Sequence, residues 1–225
     1  MSKQSKRYQS NQQKIEKKIY AFDEAIKIIK EQSNAKFDES LEVHLNLGID
    51  PKKSEQTIKG SVVLPHGTGK TVKIAVFTES KQKEAKEAQA DIIGGKELIE
   101  EIIKTKKADF DVAIATADIM RELSRAAKIL GPKGLMPSPK TGTVTENISG
   151  TVNKLKTGQI NFRNDDSGNV HQNIGKLSWD LLKIKENFNA LLTEIKKHRP
   201  KGVKGTFIKS ITLCSSMGPG IKVQS

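Results

Sequence analysis

Apolar and polar residues alternate strictly between residues 41 and 49. The apolar positions are Leu41, Val43, Leu45, Leu47 and Ile49, and the positions between them are polar or glycine. A period of two is typical of a half-buried β-strand with a polar outer face. Asp50-Pro51 then predicts a turn, and residues 58–64 predict a returning strand.

Two segments show the helical spacing of three and four residues instead. The first is predicted as one helix over residues 11–31, with a stripe formed by Ile15, Ile19, Phe22, Ile26 and Ile29. The second is predicted to begin at Ser178 and to end at Pro200 and Gly202. Its apolar face would contain Leu181, Leu182, Phe188, Leu191, Leu192 and Ile195.

Strands and helices alternate in the middle of the chain, residues 67–158. The predicted elements are strands at 72–77 and 111–115, helices at 81–90, 96–104 and 152–156, and a helix that Asp118 caps and that reaches about Leu130. Such alternation is typical of a parallel sheet covered by helices.

The pattern changes again after Gly158. Residues 160–163 and 169–174 flank a turn-rich segment and are predicted as the two strands of a hairpin. Residues 206–214 predict a final strand, which a glycine-rich turn at 218–220 follows.

We therefore predict an α/β protein of two domains. The first domain, residues 1–66 and 159–225, is α+β and discontinuous. The second, residues 67–158, is an inserted α/β domain with its own alternating pattern and with glycines at both joints. One continuous domain is the alternative.

The positive charge is concentrated in the two outer segments. The 225 residues carry a net charge of +13. Residues 67–158 hold 16 Lys/Arg against 12 Asp/Glu, a net +4, which leaves +9 for the rest, and no acidic residue follows Glu194. This distribution suits a polyanion, most often nucleic acid, because bound phosphates release counterions. A solvated basic surface is the alternative.

Composition and spacing argue against several classes of protein. No apolar run approaches the ~20 residues that span a bilayer, and the first residues lack the apolar core of a secretory signal. The single cysteine, Cys214, excludes an internal disulfide. The four histidines and Cys214 show no metal-ligand spacing, so no metal site is expected. No catalytic triad is recognisable by spacing.

Residues 67–71, Gly-Thr-Gly-Lys-Thr, imitate the end of a phosphate-binding P-loop. The full motif needs a glycine where this chain has Leu64, and Pro65 removes a backbone donor. We therefore predict an interdomain turn here. A nucleotide-dependent enzyme remains an alternative function.

Two further features suggest contact with RNA. Gly131-Pro132-Lys133-Gly134 resembles the GXXG loop with which KH modules clamp a nucleic-acid backbone, and the loop to residue 142 is rich in glycine and proline and has no acid. A rigid connector is the alternative for the loop, and a KH-like RNA regulator is an alternative function. Glu42, near Lys36 and Phe37, would accept hydrogen bonds from a 2′-hydroxyl or from guanine, unless it is an ordinary solvated residue.

Two motifs resemble the family of ribosomal protein L-one of the large subunit, in its bacterial type. The first is Lys128-Ile129-Leu130 with the loop that follows to Thr145, and the second is residues 204–210 with Ser216-Met217-Gly218-Pro219-Gly220. Shorter matching segments are residues 46–50, 64–69, 162–165 and 174–176. The resemblance covers nearly the whole chain in order.

The resemblance implies a fold and a function. A split β-α-β domain built from both chain ends would bind RNA, and a Rossmann-like domain would be inserted into it through a hinge. The partners would be large-subunit ribosomal RNA at the mobile stalk, tRNA at the exit site, and the messenger of the protein's own operon, whose translation it would repress. The protein would be non-enzymatic, free of cofactors and membranes, monomeric outside the ribosome, and cytoplasmic.

The resemblance also implies the site residues. The main RNA contacts would be Lys36, Phe37, Ser40, Glu42, Arg163, His171, Ser210, Ser216, Met217 and Gly218, and a second contact loop would use Lys133, Gly134 and Lys140. Gly218 would let the RNA backbone approach closely, and Met217 would offer a polarizable surface. The chain departs from the usual family residues at four positions, with Ser216 for threonine, Cys214 for a hydroxyl residue, Ser138 for asparagine, and Lys53 where some members have arginine.

Overall fold

The chain folds as two compact units. A computed structural model describes residues 5–16, 18–200, 202–203 and 205–224 and, of Ser54 and Lys140, the backbone alone. The first unit contains residues 1–69 and 161–225, and the second contains residues 70–160. The domain boundaries drawn from the sequence stay a prediction, which deletion of the middle segment tests.

A four-stranded antiparallel sheet forms the centre of the first unit. Its strands, in spatial order, are β7 (Asn169–Lys176), β1 (Ser40–Leu47), β8 (Ile208–Ser215) and β9 (Ile221–Val223). β7 and β8 both run antiparallel to β1, and α8 (Leu181–Lys197) connects them. β1 therefore lies between the two strands of a β-α-β unit, which is the split arrangement that the resemblance implied.

Of the alternating segment 41–49, residues 41–47 form the predicted half-buried strand. The apolar side chains of β1 are buried on one face of the sheet: Leu41, Val43, Leu45 and Leu47. The polar side chains are partly exposed on the other: Ser40, Glu42, His44 and Asn46. An antiparallel sheet commonly packs one face on the core and keeps the other in solvent, and the strand prediction is confirmed.

Two helices cover the buried face of this sheet. α2 (Phe22–Gln32) contacts β8 and β9, and α8 contacts β7 and β2 (Lys59–Val63). The helices meet through the stacked rings of Phe22 and Phe188, whose centroids lie 4.4 Å apart. The fully buried side chains of Ile184 and Leu191 on α8 each contribute about 1.5–3 kcal/mol by leaving water.

The prediction of one helix over residues 11–31 is wrong. α1 (Lys6–Gln13) and α2 are separate, because Tyr20 pairs alongside β9. The Tyr20 N–H donates to the Lys222 carbonyl, 3.0 Å away, and the Tyr20 carbonyl accepts from the Gln224 N–H. These backbone bonds cannot coexist with a continuous helix, and Ile19 is left 64% exposed.

A separate two-stranded sheet pairs β2 with β6 (Gln159–Arg163). A turn joins β6 to β7. Within the described residues these strands are linked by a single β-bridge, between Asn164 and Val170, so the predicted hairpin is wrong. Asn164 explains the difference. Its N–H donates to the Ile58 carbonyl and its Oδ1 accepts from the Ile58 N–H, 2.7 Å away, which directs β6 towards β2.

The second unit is a small parallel sheet with helices on both faces. Its main elements are β3 (Ile74–Phe77), α3 (Gln82–Glu87), β4 (Ile92–Gly94), α4 (Lys96–Thr105), β5 (Val112–Ala115), α5 (Met120–Leu123), α6 (Ala127–Leu130) and α7 (Ile148–Lys156). β3 lies between β4 and β5, and all three strands are parallel. Ala75 and Phe77 pack on the α4 side, and Ile74 and Val76 pack on the α3 and α7 side. The Rossmann-like α/β prediction is confirmed.

Helix starts differ from the predictions at two places. Ile119, rather than Asp118, precedes the first helical turn of α5, and no side chain caps it. α8 begins at Leu181 rather than Ser178, whose hydroxyl donates to Asp38 over 2.8 Å. Leu182, predicted on the apolar face of α8, is 72% exposed.

Candidate nucleic-acid interface

The solvent side of the four-stranded sheet, called here the polar face, carries four rows of polar side chains. Read from β7 through β1 to β8, the rows are Asn169–Asn46–Ser210, His171–His44–Thr212, Asn173–Glu42–Cys214 and Lys176–Ser40–Ser216. Residues directly opposite each other in a sheet share a face, and all twelve side chains are half-buried or exposed. Lys222 of β9 extends the second row beyond Thr212.

The turn after β8 lies at one end of the polar face, beside Ser40. The Ser216 N–H donates to the Ser40 carbonyl, and the Ser216 hydroxyl oxygen accepts from the Ser40 N–H, both over 3.1 Å. The Gly218 N–H donates to the Ser215 carbonyl and closes the turn. The structure therefore brings Ser40, Ser216, Met217 and Gly218 together, with Glu42 one row away.

A buried carboxylate that the sequence did not reveal holds this turn. Glu39 is 3% exposed, and it accepts hydrogen bonds from the Met217 N–H at 3.1 Å and from the Ser33 hydroxyl at 2.9 Å. Burial raises the pKa of Glu39, but hydrogen bonds from Ser215, Ser33 and Met217 outweigh it and lower the pKa below its usual value. The ionised carboxylate thus fixes the backbone at Met217.

The packing of the turn itself explains why position 218 is glycine. A Cβ at Gly218 would lie 2.5 Å from the Ser215 Oγ, and that hydroxyl itself donates to Glu39. A larger residue would push the hydroxyl away from its partner. Close approach of RNA at Gly218 stays a prediction.

Two large apolar side chains remain in solvent near the same end of the polar face. Phe37, three residues before Ser40, is 56% exposed, and Met217 is 51% exposed. Lys36 is exposed beside Phe37 in sequence. Phe37 offers a π-face for a base, Met217 offers a polarizable surface, and the lysine offers a charge for phosphate.

Two histidines on the polar face form a hydrogen-bonded chain with Asp165. The Nδ1 atoms of His44 and His171 lie 2.7 Å apart, and the His171 Nε2 lies 3.3 Å from the Asp165 Oδ2. Burial raises the pKa of Asp165, but hydrogen bonds from Asn169, His171 and Ser167 lower it to about 2. An ionised carboxylate only accepts, so His171 donates from Nε2, and in its neutral form it accepts at Nδ1 from His44.

The other ring nitrogen of His44 faces Cys214 and Glu42. Its Nε2 lies 2.9 Å from the Cys214 Sγ and 3.8 Å from the Glu42 Oε2. Burial, and to a smaller extent Glu42, raises the pKa of Cys214 to about 11. Burial and His171 lower the pKa of His44, against the opposing effect of Glu42. Spacing along the sequence missed this group because its members come from two strands.

Three predicted contacts, His171, Ser210 and Arg163, lie away from the end of the polar face that Ser40, Ser216, Met217 and Gly218 form, called here the Met217 end. His171 lies opposite His44, four residues from Ser40, or about 13 Å along a strand. Ser210 shares the polar face but lies opposite Asn46, six residues from Ser216, or about 20 Å along a strand. Arg163 is exposed at the end of β6, in the two-stranded sheet rather than on the polar face. Their roles as RNA contacts stay predictions.

In the second unit, the loop at 131–142 divides into two parts. Residues 131–134 are exposed, and Gly134 has φ +71° with open space around its Cβ position. Leu135 and Met136, by contrast, pack against the core of this unit. Lys133 is therefore presented to solvent, while the side chain of Lys140 lies outside the described residues.

The P-loop-like residues 67–71 make internal bonds instead of a phosphate cradle. In the first unit, the Gly67 carbonyl accepts from the Asn187 side chain at 2.8 Å. In the second unit, the Lys70 ammonium pairs with Asp111 at 2.5 Å. The lysine that a nucleotide site would need for phosphate therefore already has an acidic partner.

The chain is similar over its whole length to ribosomal proteins. A model of the Ribosomal protein L1p/L10e family matches residues 29–219, a range that includes every RNA contact predicted above. Three curated relatives carry the name large ribosomal subunit protein uL1. That of Mycoplasma capricolum is 49% identical with both chains fully covered, that of Kosmotoga olearia is 50% identical over 99% of this chain and 97% of its own, and that of Neisseria meningitidis is 49% identical over 100% and 98%.

Proposed function

The chain belongs to the ribosomal protein L1p/L10e family, and on that premise we propose that it binds large-subunit ribosomal RNA through the Met217 end of its polar face. It is a structural constituent of the large ribosomal subunit and a cytoplasmic, ribosome-associated protein. In the part of the chain that the structure describes, no helix is both long and apolar enough to span a bilayer.

One observation carries the RNA-binding proposal. Residues from opposite ends of the chain meet at one end of an exposed polar sheet, where Ser40 and Ser216 bond although 176 positions separate them. Met217 leaves apolar surface in solvent at the same end, and so does Phe37, three residues before Ser40 in sequence. Hydroxyl, carboxylate and apolar groups side by side suit the edges, riboses and faces of unstacked RNA bases.

Each part of this end has a separate task in the proposal. Glu42 accepts hydrogen bonds from a ribose 2′-hydroxyl or from the N–H groups of guanine, and so selects RNA. Ser40 and Ser216 hydrogen-bond to RNA at their exposed edges. Phe37 and Met217 cover a base or ribose and exclude water, and losses at such desolvated contacts exceed the value of an isolated bond.

The turn is held in shape before RNA arrives. Glu39 fixes the Met217 N–H, and Ser40 fixes the backbone of Ser216. Ordering a loop on binding costs free energy, so a preformed turn keeps more of the contact energy as affinity.

Positive charge brings RNA to the first unit. The segments outside residues 67–158 carry the net +9, and Lys176 and Lys222 stand on the polar face. Of the acid-free final stretch, Lys201 and Lys204 lie outside the described residues. Each phosphate contact adds a salt-dependent contribution to affinity. In this proposal the lysines provide general attraction to RNA, and the Met217 end provides selectivity for a particular RNA.

The finer biological roles extend the same proposal. The site on the large subunit is the mobile stalk near the tRNA exit site, and the second unit assists release of deacylated tRNA through Lys133 and Gly134, which are exposed. The same face of the first unit binds a similar RNA fold in the protein's own messenger and represses its translation. Excess protein should then inhibit translation of that messenger and of no unrelated one.

The two alternative functions have separate discriminating observations. A nucleotide-dependent enzyme is disfavoured because Leu64 replaces the motif's glycine and Lys70 pairs with Asp111. A KH-like regulator outside the ribosome would not co-sediment with large subunits, whereas we expect stoichiometric co-sedimentation.

Replacement of Met217 with aspartate tests the assigned site. The change removes apolar surface and sets a negative charge against RNA, so we expect affinity for large-subunit RNA to fall about 30-fold or more, the effect of a hot-spot residue. Fluorescence anisotropy with labelled RNA measures it, and circular dichroism checks the fold.

Leu182→Asp is the matched control for this experiment. It introduces the same charge at an exposed apolar residue of α8, on the covered side of the sheet. We expect its RNA affinity to equal that of the unmodified chain. Full affinity in Met217→Asp, or equal losses in both variants, would reject the site.

A further inference from the structure

Three metal-binding side chains converge near the middle of the polar face. Glu42 and His44 share the outer side of β1, and Cys214 lies directly opposite Glu42 on β8. The His44 Nε2, the Cys214 Sγ and a Glu42 carboxylate oxygen all lie within 4.8 Å of one another. Tetrahedral zinc separates sulfur, nitrogen and oxygen ligands by about 3.4–3.6 Å, so side-chain shifts of about 1 Å or less reach bonding geometry.

A hydrogen-bonded chain orients the histidine of this group. Asp165 accepts from His171, and His171 in turn accepts from the Nδ1 of His44, at 3.3 and 2.7 Å. When both imidazoles are neutral, this chain holds the proton of His44 on Nδ1, and its Nε2 presents a lone pair towards Cys214. A ligating imidazole usually donates its other N–H to a carboxylate, a backbone carbonyl or water, and here His171, itself bonded to Asp165, takes the place of that acceptor.

The donor set identifies the class of ion. One thiolate, one imidazole and one carboxylate suit zinc, whereas magnesium and calcium prefer oxygen ligands alone. Side-chain exposures of 29% for His44 and 41% for Glu42 leave a path for the ion and a fourth position for water. We propose that Glu42, His44 and Cys214 bind one zinc ion on the polar face.

Binding is a ligand substitution without oxidation or reduction. The sulfur of Cys214 gives up its proton to buffer and donates an electron pair to Zn²⁺, and His44 and the ionised Glu42 donate lone pairs without losing protons. One proton is therefore released for each zinc ion bound.

Titration calorimetry of the tag-free full chain with zinc chloride, without RNA, tests the proposal. We expect one site per chain, and repetition in two buffers of different ionisation enthalpy should give about one proton released. Cobalt(II) in place of zinc should produce the thiolate-to-metal charge-transfer absorption.

Single variants assign the ligands. Cys214→Ser and His44→Gln should each weaken zinc binding at least tenfold, and Cys214→Ser should abolish the charge-transfer absorption. His171→Phe, which removes the support of His44, should weaken binding about tenfold or more. His66→Gln is the control, because it removes a histidine of the same unit and leaves all three ligands in place.

Circular dichroism of each variant separates loss of a ligand from loss of the fold. A missing charge-transfer absorption with the unmodified chain, or equal zinc affinity in folded Cys214→Ser and His44→Gln, would overturn the proposal. Because RNA is absent, neither result bears on the proposed RNA binding.

Discussion

Replacing Glu39 with glutamine tests how the turn that we propose to bind RNA is held. The carboxylate is buried and accepts hydrogen bonds from the Met217 N–H and two serine hydroxyls. Glutamine keeps the shape but loses the charge. A hydrogen bond to a charged acceptor is stronger than one to a neutral acceptor by roughly 1 kcal/mol. Removing the charge also removes the cost of burying it, which offsets part of the lost hydrogen-bond energy. We therefore expect the unfolding free energy at neutral pH to fall by about 1–2 kcal/mol.

The pH dependence of the unfolding free energy shows independently whether ionised Glu39 stabilises the fold. The pKa of Glu39 is lower in the folded chain than its usual value, so ionisation favours folding. The contribution is fully present above the unfolded pKa of about 4.3 and is lost as pH falls through the lower folded pKa. The stability difference between the two proteins should therefore shrink on acidification below about pH 4.

Urea unfolding followed by Trp179 fluorescence measures the change, because this sole tryptophan belongs to the first unit. RNA affinity of the glutamine variant should fall several-fold with the loosened turn. Glu31→Gln, at an exposed position of α2, is the control and should change neither quantity. A Glu39→Gln protein as stable as the unmodified chain at pH 7, with unchanged RNA affinity, would refute the reasoning.

Two further predictions concern stability and domain organisation. The lowering of the Asp165 pKa from 3.8 to about 2 corresponds to at most about 2.4 kcal/mol, and the 37% exposure of its side chain screens this to about 1–2 kcal/mol. The unfolding free energy of Asp165→Asn, measured by urea unfolding at pH 7, should therefore be lower than that of the unmodified chain by this amount. The difference between the two proteins should disappear between about pH 4 and pH 2, and an equal difference at pH 2 would contradict the link between stability and ionisation of Asp165. Deletion of residues 70–156 with a short Gly/Ser bridge should leave a cooperatively unfolding, RNA-binding first unit, and an unfolded product would contradict the insertion topology.

The pattern of apolar and polar residues within one segment was sufficient to predict part of the candidate site. The period of two at residues 41–49 predicted that Glu42 and His44 share a polar face, because strand periodicity is set within one segment. The pairing of Glu42 with Cys214 and of His44 with His171 depends on strand register. Register is decided by packing between distant segments, so the sequence alone did not reveal the zinc ligands or the histidine chain.

Buried polar residues and long-range pairing account for the other differences. Asn187 interrupts the apolar side of α8, yet it is fully buried because it bonds to His66, Gly67 and Ile174. Tyr20 lies within the segment that the spacing predicts as one helix, but pairing beside β9 holds it out of a helix. In both cases a partner distant in sequence overrides the local preference.

Photo-crosslinking of the protein in purified large ribosomal subunits tests the central claim most directly. Mass spectrometry identifies the peptides that carry RNA. We predict that RNA is attached within residues 36–42 and 210–218, at the polar face and its turn. RNA attachment elsewhere in the chain, with both of these segments unmodified, would contradict the account.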